Sequence, residues 1–418
     1  MSFRRVVVTG TSVITSLGHD VSDVWQKVCS GQSGIRPLER FDCSEFAVRI
    51  GGEIPDFDAS AHLSIGRREV RRIDRFGQFA LAAAQHAITQ AGIDLSAGDP
   101  ARYGSIVGSG IGGLEEIESQ HRLMFDRGPD RVSALMMSKM IINAASGLIS
   151  VQWGLKGPGT AVATACASGT SAVGEAFHKI RMGLCDLMVT GGSEAALTPI
   201  GLAGFTRMKA LSRRNESPAE ASRPFDCNRD GFVLAEGAGI LILEELGFAR
   251  ARGAEILGEV VGFGLSADAT HMTSPDPEGG GAARAMQAAL LDAELNAEQV
   301  DYISAHATGT PLGDRAESAA VRRVFGEKTE STPVSSTKGQ LGHQLGASGA
   351  MESVFCLQAI RHNTIPPTLN LDNVDEQCQL DHVTGDARES PVDVALNNSF
   401  GFGGHNACVI FRRFDEAL

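Results

Sequence analysis

A pattern of short segments occurs twice in this chain, in the same order, and it restricts the fold more than any single motif does. Val6-Val7-Val8-Thr9-Gly10-Thr11-Ser12 can be laid on Val260-Val261-Gly262-Phe263-Gly264-Leu265-Ser266. The unit ending Tyr103-Gly104-Ser105-Ile106-Val107 resembles the one ending Tyr302-Ile303-Ser304-Ala305. Ala167-Ser168-Gly169 opens an Ala-rich stretch and returns as Ala347-Ser348-Gly349; the two stretches close on Ile180-Arg181 and Ile360-Arg361. Each match alone is at chance level, but three in one order predict an internal duplication. The join falls at 244–255, dividing the chain into halves 1–250 and 251–418. No low-complexity linker marks it, so the halves are expected to pack on each other.

Within each half, strand-like runs alternate with helical stretches, the pattern of an α/β domain. Residues 71–92 predict a helix, because Ile73, Phe76, Phe79 and Ala80 fall at helical spacing and Gly92 is a natural stop. Strands are expected at 5–8, turning at Thr9-Gly10, and at 103–107, 161–165, 186–190, 240–243 and 407–411. A helix follows 161–165 and runs to about Met182. Glycine is abundant, 49 of 418 residues, which predicts tight turns or close approach of backbone to a ligand or another backbone.

Charge and composition remove several classes of function. With 37 Lys+Arg against 50 Asp+Glu and a net charge of -13, wholesale binding to nucleic acid or an anionic membrane is disfavoured. No run approaches the ~18 apolar residues of a membrane span, and no leader pattern is read at the start. The eight cysteines are scattered without a CxxC pair, which fits neither a zinc site nor a disulfide framework and suits a reducing compartment. The expectation is a soluble cytoplasmic protein.

Three residues stand out as chemistry. Cys166 lies in Thr164-Ala165-Cys166-Ala167-Ser168-Gly169, where a strand turns into a helix; a helix N-terminus favours the thiolate. His306 and His343 each follow a predicted strand, where α/β folds gather their reactive groups. A cysteine from one half and two histidines from the other suit thioester chemistry. Gly108-Ser109-Gly110-Ile111-Gly112-Gly113 fits GxGxxG, but no acidic residue ends a second strand ~20 residues on, so a dinucleotide site is disfavoured. The loop Gly401-Phe402-Gly403-Gly404 suits a movable gate. Arg67, Arg68, Arg71, Arg72 and Arg75, with Arg207, Lys209, Arg213 and Arg214, form basic clusters that suit either solvent or an acidic partner.

On these motifs the chain resembles the β-ketoacyl-acyl carrier protein synthases of the elongating type. The likeness runs from Val6 to Phe411. It is carried by 164–169, by Arg223-Pro224-Phe225-Asp226 with Asp230-Gly231-Phe232, by the segment from His306 to Asp314, by Lys338 with Gly342-His343, and by Asn398-Ser399-Phe400-Gly401-Phe402-Gly403-Gly404. The resemblance implies a thiolase fold, two βαβαβαββ halves in five αβαβα layers, and a homodimer. It implies a decarboxylative Claisen condensation without a cofactor, on substrates held by the phosphopantetheine arm of acyl carrier protein. Cys166 would carry the acyl chain, with its own N–H and that of Phe402 forming the oxyanion hole. His306 and His343 would stabilise the malonyl-derived enolate. Lys338 would orient His343 and pair with Glu317, supported by Phe400. Thr308 and Thr310 would hold the pantetheine, Ile111 and Phe205 would line the acyl pocket, and Phe402 would gate it. Arg67, Arg68, Arg71, Arg72, Arg207 and Lys209 would dock the carrier protein.

The sequence departs from the common pattern at Ala307, Gly309 and His405, and at Ser304, which replaces an asparagine near a structural cation site otherwise matched by Glu352, Asn397 and Asn398. A polyketide or specialised-lipid ketosynthase would share every catalytic residue. A chain-length-factor-type partner would lack Cys166. Thiolases need a C-terminal CxG, which Cys408-Val409-Ile410 lacks, and His343 excludes the Cys-His-Asn initiating synthases.

Overall fold

The computed structural model describes residues 3–63 and 65–416. Among the described residues, five principal strands of the large sheet come from the first half: β1 Val6–Ile14, β2 Tyr103–Gly108, β3 Gly159–Val162, β4 Leu187–Glu194 and β5 Gly237–Glu245. Five belong to the second: β6 Gly258–Ala267, β7 Tyr302–Ser304, β8 Pro333–Ser335, β9 Val394–Gly401 and β10 His405–Arg412. The first set is ordered β3-β2-β4-β5-β1 and the second β8-β7-β9-β10-β6. In each half the third, second and fourth strands run parallel, and the fourth, fifth and first alternate antiparallel. The duplication read from short segments is therefore a duplication of topology. The two sheets meet where Val6–Val8 pairs antiparallel with residues 258–260, and the short strand Asp381–His382 extends the far edge beside β8.

Three apolar clusters alternate with the two sheets. The helices α1 Arg75–Ala91 and α2 Ala144–Trp153 pack with Val107, Val189 and Ile240 on the outer face of the first sheet. The helices α3 Ser168–Arg181 and, later in the chain, α6 Ser348–His362 form a middle layer whose apolar residues join strands of both sheets. The helices α4 Gly280–Asp292 and α5 Pro311–Phe325 pack with Ile303, Val334 and Leu396 outside the second sheet. These are the five αβαβα layers of a thiolase fold. Of the two middle helices, α6 is buried from Ser348 to Ile360, whereas α3 keeps Glu175, His178, Lys179 and Arg181 partly exposed. Among the described residues no helix is long and apolar enough to cross a membrane.

Several boundaries differ from the sequence reading. The predicted helix at 71–92 begins at Arg75, because the Asp74 carboxylate accepts the Phe76 N–H and caps it, while Arg67–Val70 is a separate short helix. Gly92 ends it in the left-handed region at φ 59. Thr9-Gly10 is no turn: the strand continues through a bulge to Ile14. Glycine is required there by approach, since a Cβ on Gly10 would lie 2.3 Å from the Ala87 carbonyl oxygen of α1. At its repeat counterpart Gly264 a Cβ would lie 2.1 Å from the Ala285 carbonyl oxygen of α4. The strand predicted at 161–165 stops at Val162, and its last residues form a 3-10 turn, Ala165–Ala167.

Candidate active site

Cys166 sits in that turn, between β3 and α3. Its predecessor Ala165 adopts φ 50, an uncommon left-handed conformation for a residue with a Cβ. Ser168 holds the turn, accepting the Thr164 N–H at 2.9 Å and donating to the Ala165 carbonyl at 2.6 Å. The thiol is buried. Burial pushes it up to about 12, opposed by the Lys338 ammonium and by the N–H groups of Phe402 and Cys166 itself, and reinforced by the Glu194 carboxylate. Burial thus opposes the thiolate that the helix N-terminus favours.

His306 follows β7 and His343 follows β8 through the short helix Lys338–Leu341. The imidazoles are perpendicular with centroids 5.4 Å apart; His306 also meets Phe400 edge-on at 5.7 Å, and His343 meets Phe232 at 5.3 Å. Burial first, and the Lys338 charge second, hold both well below the usual imidazole range, so both are neutral near pH 7. The Ser348 hydroxyl lies 3.0 Å from His343 Nδ1. The same hydroxyl accepts the Gln344 N–H at 2.9 Å and donates to Gln344 Oε1 at 3.2 Å. His343 Nε2 is buried without a protein partner. Ser348 was visible in the sequence only as part of the repeat.

The Lys338 ammonium is paired with Glu352, not with Glu317 as the resemblance implied. Glu317 is engaged elsewhere, accepting the N–H groups of His306 at 2.9 Å and Ala307 at 2.7 Å and the Asn398 amide at 3.2 Å. It fixes the backbone that carries His306, and burial raises its carboxyl to about 7. Around this block three buried oxygens have no hydrogen-bond partner: Glu352 Oε2, Asn397 Oδ1 and Asn398 Oδ1. One carboxylate and two amide oxygens are a donor set for a hard cation.

A cavity of about 350 Å³ brings the site together. Its wall includes Cys166, His306, His343, Glu317, Phe400 and Phe402, and, towards the mouth, Thr308, Thr310, Phe205 and Lys209. Thr310 also caps α5 through the Gly313 N–H. Ile111 is not on that wall; it packs in the apolar cluster that contains Cys166, Leu197, Phe205 and Leu345. Arg67, Arg68, Arg71, Arg72 and Arg207 are exposed and do not line the wall, although Arg207 adjoins Met208, which does.

Residues 3–249 match the family Beta-ketoacyl synthase, N-terminal domain, and residues 257–372 match Beta-ketoacyl synthase, C-terminal domain. The chain belongs to the β-ketoacyl synthase family. It is 48% identical to the 3-oxoacyl-[acyl-carrier-protein] synthase 2 of Synechocystis sp., over 98% of each chain. A beta-ketoacyl synthase from Burkholderia phymatum superposes with a TM-score of 0.91 at 37% identity, covering 99% of this chain and 100% of that one. The AntDE:AntF complex, a type II PKS acyl-carrier protein with its ketosynthase, gives a TM-score of 0.91 at 33% identity over 99% of this chain and 100% of that one.

Proposed function

We propose that this β-ketoacyl synthase elongates fatty acyl chains at the Cys166–His306–His343 cavity by decarboxylative Claisen condensation. The observation that carries the reading is the convergence of these three residues, from two different halves, on one cavity wall. The Cys166 sulfur attacks the acyl thioester of acyl carrier protein; the new bond is acyl carbon to Sγ, and the carrier's pantetheine thiol leaves with the proton. The N–H groups of Cys166 and Phe402 face the sulfur and would hold the oxyanion. The malonyl thioester then loses CO₂, and the electron pair of the broken C–C bond becomes an enolate. A neutral imidazole whose N–H faces the cavity can donate to its oxygen. The enolate carbon bonds the acyl carbon, and the Cys166 thiolate departs from a 3-oxoacyl product.

Lys338 lowers the proton affinity of both imidazoles and orients the block through Glu352. The reaction as written uses no cofactor. A structural cation would fit the three unpartnered oxygens of Glu352, Asn397 and Asn398, supplying the partner that these buried oxygens lack. Thr308 and Thr310 would meet the pantetheine, Phe402 would gate the acyl pocket beside Ile111 and Phe205, and the exposed arginines with Arg207 and Lys209 would receive the acidic carrier. A homodimer would cover the open edge strand β3 and Val151 on the helix packed against it, which is 84% exposed. The eight free thiols suit the cytoplasm. The higher identity to a 3-oxoacyl synthase than to the PKS ketosynthase favours fatty acid over polyketide substrates.

The test is acylation by carrier proteins charged with chains of different length, followed by mass measurement of the cysteine adduct. An adduct confined to Cys166, with 3-oxoacyl product once malonyl carrier is added, is expected. An adduct on another cysteine, or none, sinks the reading.

A further inference from the structure

The Glu194 carboxylate is completely buried at the end of β4 and accepts four hydrogen bonds, none from a charged group. They come from the Ser109 hydroxyl at 2.9 Å and the N–H groups of Gly110 at 2.7 Å, Ile111 at 3.2 Å and Gly346 at 3.1 Å. Three of these donors lie in the first half, on the glycine-rich loop after β2; the fourth lies in the second, in the turn that follows His343. Burial raises this carboxyl above its usual range, and the four hydrogen bonds oppose that rise. The same hydrogen bonds account for the GxGxxG string at 108–113: the amides that a phosphate would need are already engaged.

The repeat gives the fourth contact its meaning. Ala347-Ser348-Gly349 repeats Ala167-Ser168-Gly169, so Gly346 occupies in the second turn the position that Cys166 occupies in the first. The Gly346 N–H is therefore the counterpart of the N–H that faces the Cys166 sulfur. Counterpart strands end at the opposite turns. Glu194, last in β4, reaches the Gly346 turn, whereas Gly401, last in β9, approaches the Cys166 turn, its missing Cβ leaving room 3.0 Å from the Cys166 N. One turn is left open to a reacting oxygen, and the other is filled from within.

We infer that Glu194 is a positioning residue that plugs the second-half equivalent of the oxyanion hole and thereby locks the acyl-pocket loop at Ile111 to the turn carrying His343. It sets both partial reactions without touching substrate, and the inference rests on the functional reading above. Acyl transfer depends on the loop, malonyl decarboxylation on the histidine turn, and one carboxylate holds both.

The experiment measures the two partial reactions separately in the full-length protein: Cys166 acylation by short- and long-chain acyl carrier protein, and malonyl-carrier decarboxylation. Glu194→Gln, which faces an amide N–H₂ against N–H donors, is expected to slow both by at least about tenfold and to change the long-to-short acylation ratio. Glu194→Ala is expected to recover activity with added sodium formate but not with equal sodium chloride, as a small carboxylate refills the plug. If these variants fail to fold, Ser109→Ala, which removes one donor on the loop side only, is expected to shift the acylation ratio more than it slows decarboxylation. A folded Glu194→Gln with wild-type rates in both reactions, equal recovery in formate and chloride, or a Ser109→Ala that alters neither reaction overturns the inference. Wild-type protein that forms no Cys166 adduct defeats the functional reading instead.

Discussion

In residues 164–169 and 344–349 the chain makes one turn twice. Both enter a middle-layer helix through a 3-10 turn, Ala165–Ala167 and Leu345–Ala347. Both begin on a non-glycine residue in the left-handed region, at φ 50 and φ 47. In both the serine hydroxyl accepts the amide four residues back at 2.9 Å. The side chains then diverge. The first turn carries a thiol and its serine closes on the local backbone; the second carries glycine and its serine meets His343. Duplication supplied one strained turn at two places facing a shared interior, and three or four side chains divided the labour between them.

The largest effect expected from breaking this asymmetry is at the nucleophile. Cys166→Ala should reduce condensation by at least about 10³-fold while shifting the thermal midpoint by no more than about 4 °C; condensation that survives in the folded variant would remove the first turn from the chemistry. Lys338→Met strands a buried carboxylate and should destabilise the protein by about 3–5 kcal/mol. A double-mutant cycle sharpens the corrected pairing: coupling above about 1 kcal/mol is expected with Glu352→Gln and less than about 0.5 with Glu317→Gln.

Gly346→Ala tests why the second turn cannot be a copy of the first. A Cβ there would lie 2.4 Å from the Gly110 nitrogen and 2.7 Å from the Glu194 carboxylate, and overpacking of about 1–3 kcal/mol is expected in denaturant titration. A neutral result would mean the two halves can part locally. Because burial raises the Cys166 thiol to about 12, its thiolate fraction climbs throughout the working range. Alkylation of Cys166 by iodoacetamide should therefore rise about tenfold per pH unit from pH 7 to 9. A plateau below pH 8 would show that the helix end wins after all. The smallest effect concerns the surface: Arg67→Glu with Arg68→Glu should raise KM a few-fold for carrier-bound acyl chains and leave a pantetheine mimic unaffected. Equal effects on both would detach this cluster from carrier binding.

Much of this was legible before any coordinates. The repeat predicted the topology because topology repeats whenever the hydrophobic pattern and turn chemistry do, and the residue types at 166, 306 and 343 were visible as strand-end positions. Boundaries were harder to read. Thr9-Gly10 looks like a turn locally, and only the helix lying 2.3 Å from a would-be Cβ makes it a strand residue. The partner of Lys338 was misread because several buried carboxylates are available to it, and sequence separation says nothing of which one a folded lysine reaches. Glu194 carried no signal of its own, since nothing in Gly-Gly-Ser-Glu distinguishes a four-donor plug from a surface carboxylate.

By itself, then, the sequence determined the duplicated α/β architecture and singled out Cys166, His306 and His343 as the candidate reactive residues, because periodicity, glycine placement and residue chemistry are local properties. The tertiary structure alone decided the burial of the thiol, the pairing of Lys338 with Glu352, the contact of Ser348 with His343 and the bridge made by Glu194. Each of these depends on which groups lose water together. Burial and hydrogen-bond distance between residues far apart in the chain are not written in any segment of it.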